Sequence, residues 1–196
     1  MPYQLLAEPT DVVTEAFARE FALRFVAAWN SHDPDQLAAL ATEDVLWEDP
    51  YIAPDGRAHG KEAVRAWLRS IWRAFPDLAF RPLDADPEDP SPGLYLSGDR
   101  RRVAAPWHGR GRMTGPLTPP GFAPTGGQVD QFGVDLWAFR GGLVCHVRTF
   151  TDVLDVALQI GAAPRPGSLA DRIGVLSQRL AAGWERLSAR RRRSRS

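Results

Sequence analysis

Residues 25–50 read FVAAWNSHDPDQLAALATEDVLWEDP, and this stretch decides the class of fold. Its first residues close a helical pattern that begins near Thr10. Val13, Phe17, Phe21 and Phe25 recur every four residues, with Trp29 continuing the same face. Thr10 or Asp11 is suited to cap that helix. Asn30, Ser31 and His32 break the pattern, and Asp33-Pro34 opens a short second helix through Leu37 and Leu40. From Asp44 to Tyr51 the period changes to two: Val45, Trp47 and Asp49 share one face, Leu46 and Glu48 the other. Pro50, Pro54 and Gly56 end the strand.

Working outward, Gly60–Phe75 is a helix with a broad apolar stripe of Val64, Trp67, Leu68, Ile71, Trp72 and Phe75, stopped by Pro76. Strands are expected at 78–83, 94–97, 102–109, 127–139 and 143–151. Arg140-Gly141-Gly142 joins the last two as a hairpin. The proline-rich segments 84–93 and 115–127 read as loops, and 152–161 as a short helix. Pro164, Pro166 and Gly167 make a linker to an amphipathic helix at 168–190. There Leu169, Ile173, Leu176, Leu180, Trp184 and Leu187 form one stripe. Helices followed by mostly antiparallel strands imply an α+β fold, a curved sheet wrapped around the N-terminal helices. Residues 10–163 form the expected domain, 164–190 a linker and helix, and 191–196 a disordered basic tail.

Composition narrows the function. The chain has 196 residues, 44% hydrophobic and 24% charged, the balance of a globular protein. Twenty-four basic residues offset twenty-four acidic ones, but five arginines crowd the last seven positions, so residues 1–189 carry a formal −5. That sign argues against nucleic-acid binding by the body, and the tail is expected to be a solvated one. No apolar run is long enough to span a bilayer, and the N-terminus lacks a signal pattern, so no membrane partner and a cytoplasmic location are expected. The single cysteine, Cys145, and four scattered histidines offer no metal-ligand spacing. Nucleophile-elbow, phosphate-loop and dinucleotide motifs are missing.

The order and spacing of five stretches resemble the nuclear transport factor two-like cone fold in its SnoaL-like branch. They are Phe25–Pro50, HGKEAVRAWLRSIWRAFPDLAF (59–80), GFAPTGGQV (121–129), VDLWAFRGGLV (134–144) and TDVLDVALQIG (151–161). The resemblance implies a cone whose open end holds a small apolar molecule, usually in a homodimer. Its members include polyketide cyclases, ketosteroid isomerases, epoxide hydrolases and proteins that only bind. Fold alone does not choose among them.

The polar candidates are five. Asp49, two residues beyond Trp47, sits where aromatic rings would desolvate a carboxylate and raise its pKa toward that of a useful base. Glu48-Asp49-Pro50 is similar to the stretch that supplies the base in ketosteroid isomerases; a turn-stabilising role is the alternative. Asp152 is suited to cap the helix after it. With the ending Leu158-Gln159-Ile160-Gly161, it also resembles the acid/base of SnoaL-like cyclases. Asp135 falls near the position where ketosteroid isomerases hold a protonated aspartate. The matching first-helix position there is a tyrosine, whereas Phe25 has no hydroxyl, which argues against that route for steroids. His108 and His146 are further proton-transfer candidates. The epoxide hydrolase pattern is broken by Thr149 where it needs an aspartate, although Arg148 remains.

Trp47, Tyr51, Trp107, Phe132 and Trp137 alternate on strands and, with Phe25, are the candidate walls for a planar, aromatic or polycyclic ligand. Trp29, Trp67 and Trp72 are expected in the core, and 115–127 as a lip or lid. The resulting expectation is a cofactor-independent cyclase or isomerase working on an apolar carbonyl compound such as a polyketide. In it Asp152 or Asp49 removes a proton, and His108, His146 or protonated Asp135 stabilises the enolate. Sequestration of a hydrophobic ligand without chemistry, epoxide-hydrolase-like chemistry, and an assembly role for the last helix are the alternatives.

Overall fold

In the computed structural model, which describes residues 11–86, 89–118 and 121–193, the N-terminal segment folds as two helices, α1 (Glu15–Asn30) and α2 (Pro34–Ala39). The four-residue spacing of Phe21, Phe25 and Trp29 puts all three on the buried face of α1. Its N-cap is Thr14, whose hydroxyl accepts the Phe17 N–H at 3.2 Å, rather than Thr10 or Asp11. Thr10 itself lies outside the described residues. Asp11 instead accepts the N–H groups of Gly141 and Gly142 at 3.1 and 2.8 Å, tying the chain start to the last hairpin. Asp33 caps α2 with Pro34 at its first turn, the arrangement a proline there favours.

The chain continues through β1 (Ala41–Glu48), β2 (Arg57–His59), α3 (Gly60–Ala74), β3 (Ala79–Pro82), β4 (Asp84–Asp86), β5 (Asp89–Pro92) and β6 (Tyr95–Leu96). It ends with β7 (Arg102–Arg112), β8 (Gln128–Arg140), β9 (Leu143–Thr151), α4 (Val153–Gln159) and α5 (Leu169–Arg193). One mixed sheet runs β2-β1-β9-β8-β7-β3, with β6 also paired to β7 and only β1–β9 parallel. The segment 84–93, expected as a loop, carries the small β4–β5 ladder. The basic tail expected from 191 begins instead inside α5, and 194–196 lie outside the described residues.

One face of the sheet packs on α1 and α3. Val45, Trp47, Val103, Val129, Trp137, Phe139, Val144 and Val147 enter the core there beside Phe21, Phe25, Val64 and Leu68. Period-two alternation sends the intervening residues to the outer face. The amphipathic face of α3 is fully used, with Val64, Trp67, Leu68, Ile71 and Trp72 buried. Asn30, the last residue of α1, clamps the sheet edge. Its Oδ1 accepts the Phe80 N–H and its Nδ2 donates to the Phe80 carbonyl, both at 2.8 Å.

That clamp fixes where α1 meets β3, and it uses both hydrogen-bonding ends of one side chain. Asn30→Ala should lower the unfolding free energy by about 1–3 kcal/mol, read from the urea midpoint. An unchanged midpoint would show that the two bonds contribute nothing net.

Candidate functional site

The helices do not fill the concave side of the sheet. A cavity of about 80 Å³ remains between α1, α3 and the inner faces of β7, β8 and β9. Its walls are almost wholly apolar: Phe25 and Trp29 from α1, Trp67, Ile71 and Phe75 around α3, Phe80 from β3, and Trp107 and Trp137 from the central strands. The rings hold one another edge-on or tilted. Phe25 lies 4.8 Å from Trp137, Trp29 5.0 Å from Phe80, and Phe80 5.1 Å from Trp107. Such pairs fix ring positions as well as burying area.

Into this apolar box project Asp49, Asp135, Thr149, Tyr51 and Gln131. Asp49 stands at the end of β1, where the chain turns. Its N–H donates to the Gly56 carbonyl at 2.9 Å, and its Oδ1 accepts the Tyr51 N–H at 2.8 Å. The turn-forming role and the cavity-facing position are therefore both real. Asp135 sits mid-strand in β8, directly across from Thr149 of β9. Its Oδ1 accepts the Thr149 hydroxyl at 2.9 Å and the Trp107 indole N–H at 3.1 Å. Trp107 reaches it because the facing residue is Gly133, where a Cβ would lie 2.2 Å from the indole ring.

Asp49 and Asp135 are 7% and 6% exposed. Burial disfavours the charged form of each, and the neighbouring Asp135 charge adds to the effect on Asp49. Asp49 is pushed up to about 7 and Asp135 to about 6. The difference follows from their donors. Thr149, Trp107 and Trp137 all favour charge on Asp135, whereas Asp49 has chiefly one backbone N–H, helped by Thr149. Thr149 thus touches both carboxyls electrostatically. Burial and the Asp49 charge also push the Tyr51 phenol upward, so it stays a donor, and its hydroxyl donates to Gln131 Oε1 at 3.2 Å. Thr151 donates to the same oxygen at 3.2 Å, which leaves the Gln131 amide nitrogen as its free hydrogen-bonding end among the described residues.

The remaining candidates lie elsewhere. Asp152 caps α4, accepting the Asp155 N–H at 3.0 Å on the surface, and does not line the cavity. His108 points to the outer face, its ring stacked 4.4 Å from Phe132, with Nε2 2.5 Å from Asp130 and Nδ1 accepting from Arg81. His146 pairs with Glu48 Oε2 at 2.9 Å and also lies off the cavity. Phe132 is 58% exposed. Its register explains why: Gln131, Asp135 and Trp137 share the inner face, so Phe132 cannot. Trp47 lies one layer behind the cavity, stacked on Phe25 at 5.7 Å. Trp29 and Trp67, expected as core only, are cavity walls as well. Segment 115–127 is described except at 119 and 120 and contributes none of the lining side chains. No cluster of metal-ligating side chains occurs among the described residues.

Two raised carboxyl pKa values carry a signed consequence. The unfolded chain ionises these groups near 4, whereas the folded chain keeps its protons until about 6 and 7. Stability is therefore full below about pH 4 as far as these groups go, and is lost as pH rises through 6 to 7. Asp49→Asn should flatten that fall and raise the melting temperature above the native protein's at about pH 8, with the gap closing near pH 4. Parallel melting curves across the range would contradict the burial assigned to Asp49.

Known proteins place this geometry. Among solved structures, TsrD from Streptomyces laurentii superimposes with a TM-score of 0.61 at 22% identity, over 77% of this chain and 99% of its own. A protein assigned as a SnoaL-like polyketide cyclase from Jannaschia sp. CCS1 gives 0.61 at 21% identity, over 81% and 99%. AclR from Streptomyces galilaeus gives 0.60 at 20% identity, over 89% and 98%. At these identities the likeness is one of fold. No curated protein sequence matches the chain. A family model, described as a SnoaL-like domain, matches residues 22–147, which include the C-terminal half of α1, the Asp49 turn and most of the cavity wall. The chain belongs to the SnoaL-like family.

Proposed function

We propose that the protein is a cofactor-independent acid–base enzyme, a cyclase or isomerase of the SnoaL-like type, acting on an apolar carbonyl compound. The observation that carries this reading is the pair of buried carboxyls, Asp49 and Asp135, facing one apolar cavity on either side of the Thr149 hydroxyl.

Near neutral pH such a pair holds about one proton. Asp135, with two hydrogen bonds converging on Oδ1, is the better seat for the charge; Asp49 is the better seat for the proton. In the reaction the Asp135 carboxylate takes a proton from the carbon next to the substrate carbonyl. The Asp49 O–H donates to the carbonyl oxygen as the electron pair moves onto it. The enol so formed then attacks an internal carbonyl, closing a ring as Asp135 gives its proton to the new alkoxide, or takes that proton at another carbon, shifting the double bond. In either case the enol O–H proton returns to Asp49 as the carbonyl re-forms. Trp107 holds the Asp135 carboxylate and the aromatic walls exclude water, which strengthens both interactions. This reading differs from the sequence expectation, in which Asp152 or Asp49 was the base and His108, His146 or protonated Asp135 stabilised the enolate.

Asp49 and Thr149 also border a second, polar groove of about 450 Å³ shared with Glu48, Arg57, Arg148 and Thr151. Asp49 can therefore exchange protons with solvent through this groove. The bound molecule we infer is planar and aromatic or polycyclic, matching the ring-lined walls, and the cavity of about 80 Å³ has to widen to admit it.

The test uses 2-tetralone as a bicyclic probe, following hydrogen–deuterium exchange at its α-carbon in deuterated water by NMR. The protein should accelerate exchange. Asp135→Asn and Asp49→Asn should each reduce that acceleration by about 100-fold or more, and Thr149→Val by a smaller factor. Binding of the probe without acceleration would instead mean a binding protein, and full activity in both asparagine variants would place the chemistry on groups other than these two carboxyls.

A further inference from the structure

The C-terminal helix is the part of the chain that the cone does not use. Leu169, Ile173, Leu176, Leu180 and Trp184 fall within about a quarter of the circumference of α5. They are 76%, 56%, 57%, 67% and 77% exposed, so no described residue of the chain covers them. Arg172 and Arg179 follow one border of this stripe, while Asp171 and Gln178 lie on the far side by helical register. Beyond Trp184 the sequence adds Arg186, Arg190, Arg191, Arg192, Arg193 and Arg195. Residues 168–196 thus hold eight arginines against two acidic residues, a net +6, whereas residues 1–167 hold sixteen basic against twenty-two acidic, a net −6.

A helix of this kind has little support of its own. It contains Gly174 and Gly183, each costing about 1 kcal/mol relative to alanine, and most helical stability in proteins comes from packing an amphipathic face rather than from propensity. Something must bury the stripe. Pairing two copies of α5 would set +6 beside +6. A nucleic acid would neutralise the arginines and leave Leu169, Ile173, Leu176 and Trp184 in water. An anionic lipid surface satisfies both features together, taking the stripe into its acyl boundary and the arginines against its phosphates.

We propose that α5 is a peripheral membrane-binding element, lying in the plane of an anionic phospholipid surface and holding the cone domain against it. This is surface association, distinct from spanning; no described helix is long and apolar enough to cross a membrane. An amphipathic helix and a polybasic cluster supply the two signals that stable but reversible attachment takes. The Pro164-Arg165-Pro166-Gly167 linker separates the helix from the cone, so binding need not disturb the cavity.

The experiment is flotation of the full-length protein with phosphatidylcholine vesicles and with phosphatidylcholine vesicles containing phosphatidylglycerol. Leu180→Asp and the double variant Arg172→Glu/Arg179→Glu are compared, with sedimentation velocity on each. All three side chains are exposed, so the cone should fold unchanged, and near-ultraviolet circular dichroism checks that. The proposal expects flotation only with phosphatidylglycerol, weakened at high salt. Each variant should lose about tenfold or more in affinity. Equal flotation on both lipids, or none on either, would overturn it. Undiminished binding by Leu180→Asp would overturn it too, as polyanion attraction by the arginines alone. So would a dimer that Leu180→Asp dissolves, since the stripe would then face a second copy.

Discussion

Burying two carboxyl groups in an apolar cavity is costly unless each is hydrogen-bonded or protonated, and the surroundings of Asp49 and Asp135 answer that demand group by group. Thr149 and Trp107 donate to Asp135, and the Tyr51 N–H donates to Asp49. Each donor in turn needs its own support. Trp107 stands where it does because β8 offers Gly133 opposite, and the Tyr51 N–H is aimed by the turn that Gly56 closes through its carbonyl. What hydrogen bonding leaves unsatisfied is met by holding a proton, which is the property acid–base chemistry uses.

The fold makes this arrangement possible by curving past its own helices. α1 and α3 cover the inner sheet face over most of its area but leave the region beneath Trp107, Asp135 and Thr149 open. Aromatic side chains border the gap. Large rings locked edge-to-face keep their positions with few contacts on the open side, whereas aliphatic chains would collapse into it. Asn30 clamps α1 to β3 at the rim of the same gap, so one local bond pair also holds the cavity mouth in register.

The sequence made the elements and the α+β class legible because periods of four and two are local properties. Phe21, Phe25 and Trp29 announce the buried face of α1, and Val45, Trp47 and Asp49 the inner face of β1. The facing of isolated strand residues was harder. Trp107 and His108 are neighbours on β7, so only one can point inward, and nothing in the chain alone says which. Phe132 and Trp137 are five residues apart on one strand, and strict alternation already forbids both from lining one cavity. Asp152 has a capping function complete in itself, so its residue type could not reveal whether it also faced a pocket. Thr149 and Gln131 were missed as site residues because they carry no perturbed charge. Thr149 matters because it lies across the sheet from Asp135, a fact of register, and Gln131 because the turn after β1 brings the Tyr51 hydroxyl onto it. The stripe on the last helix was equally plain in sequence, but that its own domain leaves it uncovered was not.

The central claim is that the cavity holds two carboxyls displaced upward by burial, in the order Asp49 above Asp135. Carbon-13 NMR titration of the labelled carboxyls, with the single asparagine variants assigning the signals, tests it directly. The account predicts midpoints near 7 and 6, and a downward shift of Asp49 when Asp135 is made neutral. Two carboxyls titrating near the ordinary value of about 4 would contradict it, and with it the acid–base reading of the cavity.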